Sequence, residues 1–193
     1  MQDCCRTWKD EKLLNANMIH LLETSLSADA QTGNLDIDGY DAKFTNVGNG
    51  KGMVTFVNED ATYTHEKEEI HRTLQVTKFN IKGISSISLY RSSNHSIVEA
   101  AKSLKSVINT REATLITGDF NVCTVKDQGN TLTKMLEGLG FIQLVSEATH
   151  IQGGHIDHCY WLDKEGKWKL PVLERYSPYH SDHDALLITL KNK

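Results

Sequence analysis

The chain has 193 residues, of which 39% are hydrophobic and 24% charged, the usual balance of a globular protein that buries a sizeable core. Its apolar runs are too short to span a bilayer, and no basic start leads into the apolar stretch of a signal peptide. A net charge of −4 excludes a protein that holds nucleic acid by charge alone, and the four cysteines do not have the spacing of a disulfide framework. We therefore predict a single intracellular domain over residues 1–193, nuclear or cytoplasmic, without a membrane partner.

Short runs of apolar and β-branched residues predict strands along most of the chain. In chain order, the runs occupy residues 17–22, 52–57, 73–81, 84–90, 114–118, 140–145, 155–161 and 183–190. The polar segment 58–72 is predicted to be a loop or a hairpin tip. The first dozen residues are predicted to form a helix around Trp8.

Two helices connect these strands. Residues 96–109 place apolar side chains three and four positions apart on one helical face, and Ser96 with Glu99 makes a capping box at the start. A second helix over 131–138 has the same periodicity and ends at a glycine. Because strands outnumber the helices that connect them, we predict an α+β or α/β sandwich of stacked sheets with helices outside.

Polar clusters follow or precede the predicted strands at four places, namely Glu23 and the segments 118–121, 156–158 and 181–184. Carboxylates at strand ends can converge on one rim of a sheet, where they repel one another unless a cation lies among them. Hard oxygen ligands favour Mg²⁺, Mn²⁺ or Ca²⁺. An imidazole and an asparagine amide in the same clusters complete the groups needed for metal-assisted phosphoryl hydrolysis.

Each cluster alone has a simpler explanation. Glu23 can be a solvated residue after a strand, Asp119 part of a Gly-Asp turn, and Asp157 with His158 a surface pair. Their order, spacing and shared position at strand ends favour the functional interpretation.

The order of these clusters resembles the motif order of the endonuclease/exonuclease/phosphatase (DNase-I-like) superfamily. The matching stretches are 15–26 (NANMIHLLETSL), 35–57, 88–96 (SLYRSSNHS), 117–121 (TGDFN), 155–158 (HIDH) and 181–185 (SDHDA). Leu22 stands where a glutamine is usual, and Ser93 replaces the usual proline. ATHIQGGHIDHCYW followed by SPYHSDHDA is most similar to the endonuclease domains of mobile (transposable) elements.

The resemblance implies a fold and an activity. The expected fold is two mainly antiparallel sheets packed face to face with helices outside. The expected activity is Mg²⁺-dependent hydrolysis of phosphodiesters, with Mn²⁺ as a substitute for Mg²⁺. The expected partner is nucleic acid, above all DNA, and other domains of a larger polyprotein are expected beside this one.

The resemblance also implies which residues serve the metal and the attacking water. Glu23 would hold the metal, and Asp182 would lie near it. Asp119 would position or deprotonate the water, and Asn121 would orient the water or donate to a phosphate oxygen.

The remaining implied roles concern the phosphate. His183 would lie at the scissile phosphate, held in its tautomer by Asp157. Either this histidine or the water-positioning aspartate would be the formal base, and the sequence leaves that choice open. Tyr90, Thr149 and Ser181 would contact the phosphate.

The start of the chain departs from the family pattern. The family begins with a strand that carries a metal-site asparagine, and MQDCCRTWKDEK contains neither such a strand nor an asparagine. We therefore expect the first strand to be missing, with low stability and little activity as consequences. A catalytically inactive truncated remnant is thus one alternative, and a phosphoesterase acting on RNA or on a phosphorylated small molecule is another.

A zinc site is a further alternative. His155 with His158, and His180 with His183, form two H-x-x-H pairs with Cys159 nearby. Because residues three apart on a strand point to opposite sides, the first pair is predicted to diverge. Zinc would also leave the carboxylate clusters unexplained.

Overall fold

The structure is a computed structural model that describes residues 13, 15–26, 37–45, 52–70, 73–126, 130–178 and 181–193. The chain divides into two compact units, Met1–Tyr63 and Thr64–Lys193. The predicted helix around Trp8 and the expected absence of the first strand concern residues outside the described part of the chain.

The first unit contains a three-stranded antiparallel sheet. Its strands are β1 (Met18–Leu21), β2 (Tyr40–Thr45) and β3 (Met53–Asn58), in the order β1-β3-β2. Apolar side chains of all three strands, such as Ile19, Tyr40 and Phe56, form its buried cluster.

The second unit is built on a six-stranded sheet in the order β4-β5-β6-β7-β9-β8. The strands are β4 (Tyr63–Ile70), β5 (Leu74–Ile81), β6 (Ile84–Arg91), β7 (Ala113–Asp119), β8 (Ile142–Gln143) and β9 (Asp157–Leu162). β6 and β7 are parallel, whereas the pairs β5–β6, β7–β9 and β8–β9 are antiparallel. A separate antiparallel pair is formed by β10 (Val172–Tyr176) and β11 (Ala185–Thr189).

Two helices lie in the connections of the second unit. Helix α1 (Ile97–Val107) begins after Ser96, whose hydroxyl accepts a hydrogen bond from the backbone N–H of Glu99. Helix α2 (Thr131–Gly138) begins after Asn130, whose side-chain oxygen accepts from two backbone N–H groups of the first turn. No helix in the described residues is long and apolar enough to cross a membrane.

The faces of the six-stranded sheet differ because side chains alternate along each strand. Ile116 and Tyr160 point to one face, where they pack with both helices in the larger apolar cluster. Leu115 and Trp161 point to the other face, where they pack with Leu186 and its neighbours from the β10–β11 pair. By the same alternation, the last residue of β7 and the first residue of β9 belong to the face away from the helices.

The predicted class is confirmed: the described residues form an α+β fold of mainly antiparallel sheets, with both helices on one face of the six-stranded sheet. Two polar strands were missed. Segment 58–72, predicted to be a loop or a hairpin tip, contains β4, an edge strand of the sheet on which Glu66, Lys67 and Glu68 are exposed. Residues 172–176 form β10 with an equally exposed pattern. Edge strands keep charges on their surface, and this weakens the apolar alternation by which strands are predicted.

Candidate active site

Three neighbouring strands bring polar side chains to one end of the six-stranded sheet. The parallel register pairs Tyr90, near the end of β6, with Asp119 at the end of β7. The antiparallel register pairs Asp119 with Asp157 at the start of β9. Paired residues point to the same face of a sheet, so these three side chains form a row on the face away from the helices.

Gly118 allows this register. It has φ of +145°, and a Cβ atom at this position would lie 1.9 Å from the carbonyl oxygen of Leu89 on β6. Any larger residue would therefore force the two strands apart directly below Asp119.

Asp119 and Asn121 form one hydrogen-bonded unit. The Asp119 carboxylate accepts from the backbone N–H of Asn121 at 2.8 Å and from its side-chain amide at 2.9 Å. The same amide donates to the carbonyl of Arg91 at 2.8 Å. Asn121 has φ of +48°, a left-handed conformation that asparagine adopts more readily than most residues. The aspartate is buried and its orientation is fixed by the loop that follows it.

Arg91, the last residue of β6, stabilises the backbone of this loop through hydrogen bonds. Its guanidinium group is buried and donates to the carbonyls of Phe120 at 2.5 Å and Asn121 at 2.6 Å. It also donates to the carbonyls of Ser92 and His95, at 3.0 and 2.8 Å. Five N–H donors in a rigid fork suit this task, and a lysine has no equivalent geometry.

The start of β9 is fixed by Thr149. The backbone N–H of Asp157 donates to the Thr149 hydroxyl at 3.1 Å. Thr149 is only 1% exposed, so the structure places its side chain behind Asp157. Its predicted contact with a phosphate therefore stays a prediction, and the observed contact is a structural one. Tyr90 is also buried, at 4% exposed.

His183 completes the group. Its Nδ1 lies 2.9 and 3.1 Å from the two carboxylate oxygens of Asp157, within hydrogen-bonding distance. This hydrogen bond raises the pKa of His183 to about 9, against a lowering effect of burial. The charges of Asp157, Asp119 and Asp182 also raise this pKa. The ring nitrogen that does not face Asp157 is Nε2.

A short segment carries His183. Residues 149–151 and 182–184 pair as an antiparallel bridge, in which Ile151 N–H donates to the Asp182 carbonyl at 2.9 Å. Asp184 N–H donates in turn to a carbonyl of the first segment at 2.7 Å. The hydroxyl of Ser181 accepts from the backbone N–H of His183 at 3.0 Å. Ser181 and Asp182 are both exposed, unlike the strand-borne carboxylates.

Two groups of ligating side chains could hold a metal ion in the part of the chain that the structure describes. One is Asp119, Asp157 and His183, and the other is His150, Asp182 and His183; in each, the ligand atoms lie within 4.8 Å of one another. The two buried carboxylates of the first group fit a hard cation such as Mg²⁺ or Mn²⁺.

Glu23 belongs to the first unit. It is exposed, follows β1, and has φ of +50°, a conformation that is uncommon for a non-glycine residue. The next residue, Thr24, donates from both its backbone N–H and its hydroxyl to the carbonyl of Gly52. A predicted functional residue with an unusual backbone conformation is noteworthy because such strain concentrates at functional sites.

The first H-x-x-H pair does not diverge, contrary to the prediction. His155 precedes β9, and its ring stacks on that of His158 with centroids 5.1 Å apart. The His158 Nε2 nevertheless donates to the Val122 carbonyl and its Nδ1 accepts from the Gln143 amide, so neither nitrogen is available to zinc. Burial lowers the pKa of His158 to about 4. Cys159 packs in the apolar cluster on the opposite face of the sheet.

Both Asp157 and His158 are buried, which excludes the alternative of a surface pair. The second H-x-x-H pair includes His180, which lies outside the described residues.

Two residues of the site were not predicted. Arg91 follows Tyr90 directly, and a basic residue that ends an apolar strand was the available signal. His150 follows Thr149, and its Nε2 lies 3.3 Å from a carboxylate oxygen of Asp182. Sequence spacing gives no indication of this contact, because 32 positions separate the two residues.

Comparison with known proteins identifies the fold. No family model and no curated protein matches the sequence. Among solved structures, the endonuclease domain of TRAS1, a telomere-specific non-LTR retrotransposon, is similar with a TM-score of 0.61 and 14% identity, over 79% of this chain and 78% of that one. An AP endonuclease from Archaeoglobus fulgidus has a TM-score of 0.65 and 16% identity, over 92% of this chain and 90% of that one.

A third similar structure is D. rerio TDP2 complexed with a single-strand DNA product, with a TM-score of 0.64 and 11% identity over 99% of this chain and 91% of that one. The similarity to these structures extends over most of the described chain. The protein therefore has the fold that these structures share, the DNase-I-like fold.

Proposed function

We propose that the chain is a metal-dependent phosphodiesterase that cleaves DNA, of the type found in mobile elements. The observation that supports this most is the placement of Asp119, Asp157 and His183, whose ligand atoms lie within 4.8 Å of one another at one end of the sheet. Two carboxylates and an imidazole in this arrangement are the groups that phosphodiester hydrolysis requires.

The proposed roles of these residues follow from the hydrogen bonds that they form. Asp119 positions or deprotonates the attacking water, and Asn121 keeps that carboxylate in place through two hydrogen bonds. His183 acts at the scissile phosphate through Nε2, because Asp157 engages Nδ1. Asp157 thus fixes the tautomer and orientation of the ring.

A divalent cation, Mg²⁺ or Mn²⁺, would neutralise charge on the phosphate and lower the pKa of bound water. Glu23 and Asp182 are its proposed ligands. Tyr90, Thr149 and Ser181 stay proposed phosphate contacts; Ser181 is the exposed one of the three.

DNA is the proposed substrate by similarity. One structure with this fold is the endonuclease of a retrotransposon, and another was determined with a single-strand DNA product. Because the net charge is −4, we infer that a cation and other domains of a larger polyprotein contribute to nucleic-acid affinity. We also propose that residues 1–193 act as a single domain.

The test is a nicking assay on supercoiled plasmid with the untagged 193-residue chain. We expect nicking in Mg²⁺ or Mn²⁺ and none in EDTA. The matched control is Glu137→Gln, which removes a negative charge at an exposed position of helix α2. This helix packs on the opposite face of the sheet, so the variant should cleave like wild type.

The outcomes separate the alternatives. Nicking in EDTA would refute the metal requirement. Cleavage of RNA or of a small phosphodiester without cleavage of DNA would refute the proposed substrate. A folded chain that cleaves none of these substrates would be the inactive remnant.

A further inference from the structure

His150 is a largely buried histidine that the proposed reaction does not yet use. Its side chain is 14% exposed, and its Nε2 lies 3.3 Å from a carboxylate oxygen of Asp182. Its ring also meets the His183 ring edge-on, with centroids 4.7 Å apart and an interplanar angle of 88°. His150 therefore contacts two adjacent residues of the candidate site at once.

The backbone fixes the tautomer of His150. The N–H of Gln152 donates to His150 Nδ1 at 3.1 Å, so Nδ1 must be the unprotonated nitrogen. In the neutral ring, the proton is then on Nε2, which faces Asp182. Nε2 therefore carries a proton whether the ring is neutral or charged, and its contact with the carboxylate at 3.3 Å is an attractive polar contact that becomes an ion pair when the ring is charged.

The same tautomer argues against His150 as a metal ligand. A metal on Nε2 would require the proton to move to Nδ1, where it would oppose the N–H of Gln152. The close group of His150, Asp182 and His183 is therefore better explained by the polar contact of His150 with Asp182 and the edge-on ring contact with His183 than as a second metal site.

Asp182 is the residue that needs such a contact. Its side chain is 66% exposed, so without a partner it would sample several rotamers. The backbone around it is already fixed, since Ile151 N–H donates to the Asp182 carbonyl. Only the side chain of Asp182 is then free to change its orientation, and the contact with His150 on the paired segment restricts it.

We propose that His150 is a positioning residue that holds the Asp182 carboxylate in the orientation in which it takes part in binding a divalent cation. This inference rests on the proposed function, because it takes Asp182 as a metal ligand. It deepens that function by assigning the loop 149–154 a part in metal affinity.

Two variants separate the polar contact of His150 with Asp182 from the packing of its ring against His183. His150→Phe keeps an aromatic ring beside His183 but removes the donor to Asp182. His150→Gln removes the ring but keeps an N–H donor near the position of Nε2. His65→Phe, the same change on exposed strand β4, is the matched control.

The primary measurement is Mn²⁺ affinity by electron paramagnetic resonance, on the full chain without substrate. Loss of the polar contact between His150 and the Asp182 carboxylate is expected to weaken Mn²⁺ binding about 5- to 20-fold in His150→Phe. His150→Gln should retain wild-type affinity to within about twofold, as should His65→Phe. The second measurement is DNA cleavage at saturating Mn²⁺, where His150→Phe should recover most of its rate.

A double-mutant cycle keeps the test independent of small effects on folding. In an Asp182→Asn background, His150→Phe should cause no further loss of Mn²⁺ affinity, because the carboxylate that it orients is gone. The inference is overturned if His150→Phe binds Mn²⁺ like wild type, if His150→Gln is as weak as His150→Phe, or if the two losses multiply. A wild-type chain that binds no Mn²⁺ would instead refute the metal in the proposed function.

Discussion

The two sides of the candidate site are built differently. On one side, Asp119 ends a central strand, is 4% exposed, and is held by a loop to which Arg91 donates two hydrogen bonds, at the carbonyls of Phe120 and Asn121. On the other side, Asp182 and His183 lie on a segment outside the strands, and the Asp182 side chain is 66% exposed. We call these the strand side and the loop side.

This difference in burial predicts that substitutions on the strand side lower folding stability, whereas substitutions on the loop side mainly lower the reaction rate. Groups on the strand side are embedded in the sheet, so their removal leaves buried partners unsatisfied and costs folding free energy. Groups on the loop side are less buried and depend on a few hydrogen bonds between two short segments, so their removal should affect the reaction with little effect on folding. Variants on both sides test whether stability and rate respond in this way.

The largest effect is expected for Asp119→Asn. The change removes the negative charge that positions the water, and we expect the rate of DNA cleavage to fall about 10²- to 10⁴-fold. The asparagine has nearly the same shape, but its amide must oppose the Asn121 amide, so about 1 kcal/mol of stability should be lost. Cleavage rates and urea unfolding give the two numbers, and a full-rate variant would remove Asp119 from the site.

Asp157→Asn should change the pH dependence. The pKa of His183 is raised to about 9 by its hydrogen bond to Asp157, so the ring is cationic at neutral pH. If the neutral ring is the base, the wild-type rate should rise with pH through about 9. In Asp157→Asn, the rise should move down toward the ordinary histidine pKa of about 6.5, with a lower maximal rate.

The same shift has a consequence for stability. A pKa raised on folding stabilises the chain fully below about pH 6.5, and this contribution is lost as pH rises through about 9. Asp157→Asn should flatten the pH dependence of unfolding in that window. An NMR titration of His183 checks the pKa directly, and identical profiles in both proteins would show that the two side chains do not interact.

Arg91→Lys tests the support of the strand side. The lysine keeps the charge but cannot reach four carbonyls, so those of Phe120 and Asn121 lose a buried donor. We expect a loss of about 2–4 kcal/mol in the free energy of unfolding, and a fall in rate of about tenfold as Asn121 shifts. Arg111→Lys, at an exposed position, is the control and should be neutral. Unchanged stability in Arg91→Lys would contradict the role assigned to this guanidinium.

Ser181→Ala should have the smallest effect. The hydroxyl accepts one hydrogen bond from the His183 backbone N–H in an exposed turn, so its loss should reduce kcat/KM about two- to fivefold and leave unfolding unchanged. An increase confined to KM would instead indicate the predicted contact with the phosphate. A stability loss comparable to that of the arginine variant would mean that the loop side is not the less embedded one.

The strand side was largely predictable from sequence, because strand-end motifs are local. ATLIT followed by Gly118 and Asp119 indicates both a buried strand and the carboxylate at its end. The contacts of Arg91 were not predictable. They join it to backbone carbonyls 29 and 30 positions further along the chain, and because every residue has a carbonyl, the sequence does not indicate which ones accept.

The loop side was predictable in part. The sequence SDHDA indicates Asp182 and His183 by their residue types, and their pairing with residues 149–151 depends on backbone hydrogen bonds that any sequence could form. The contact of His150 therefore had no signal of its own. His155 and His158 were predicted to diverge, whereas their rings stack. The prediction was wrong because β9 begins two residues later than its apolar pattern indicates.

The most direct test of the site is a double-mutant cycle of DNA cleavage between its two sides, with Asp119→Asn, His183→Gln and the combined variant measured in saturating Mg²⁺. If both sides serve one reaction at one phosphate, the combined variant should lose about as much rate as the worse single variant, because residues that act as a unit are not additive. Losses that multiply, or a His183→Gln variant with the wild-type rate, would contradict a single catalytic site formed by the strand side and the loop side.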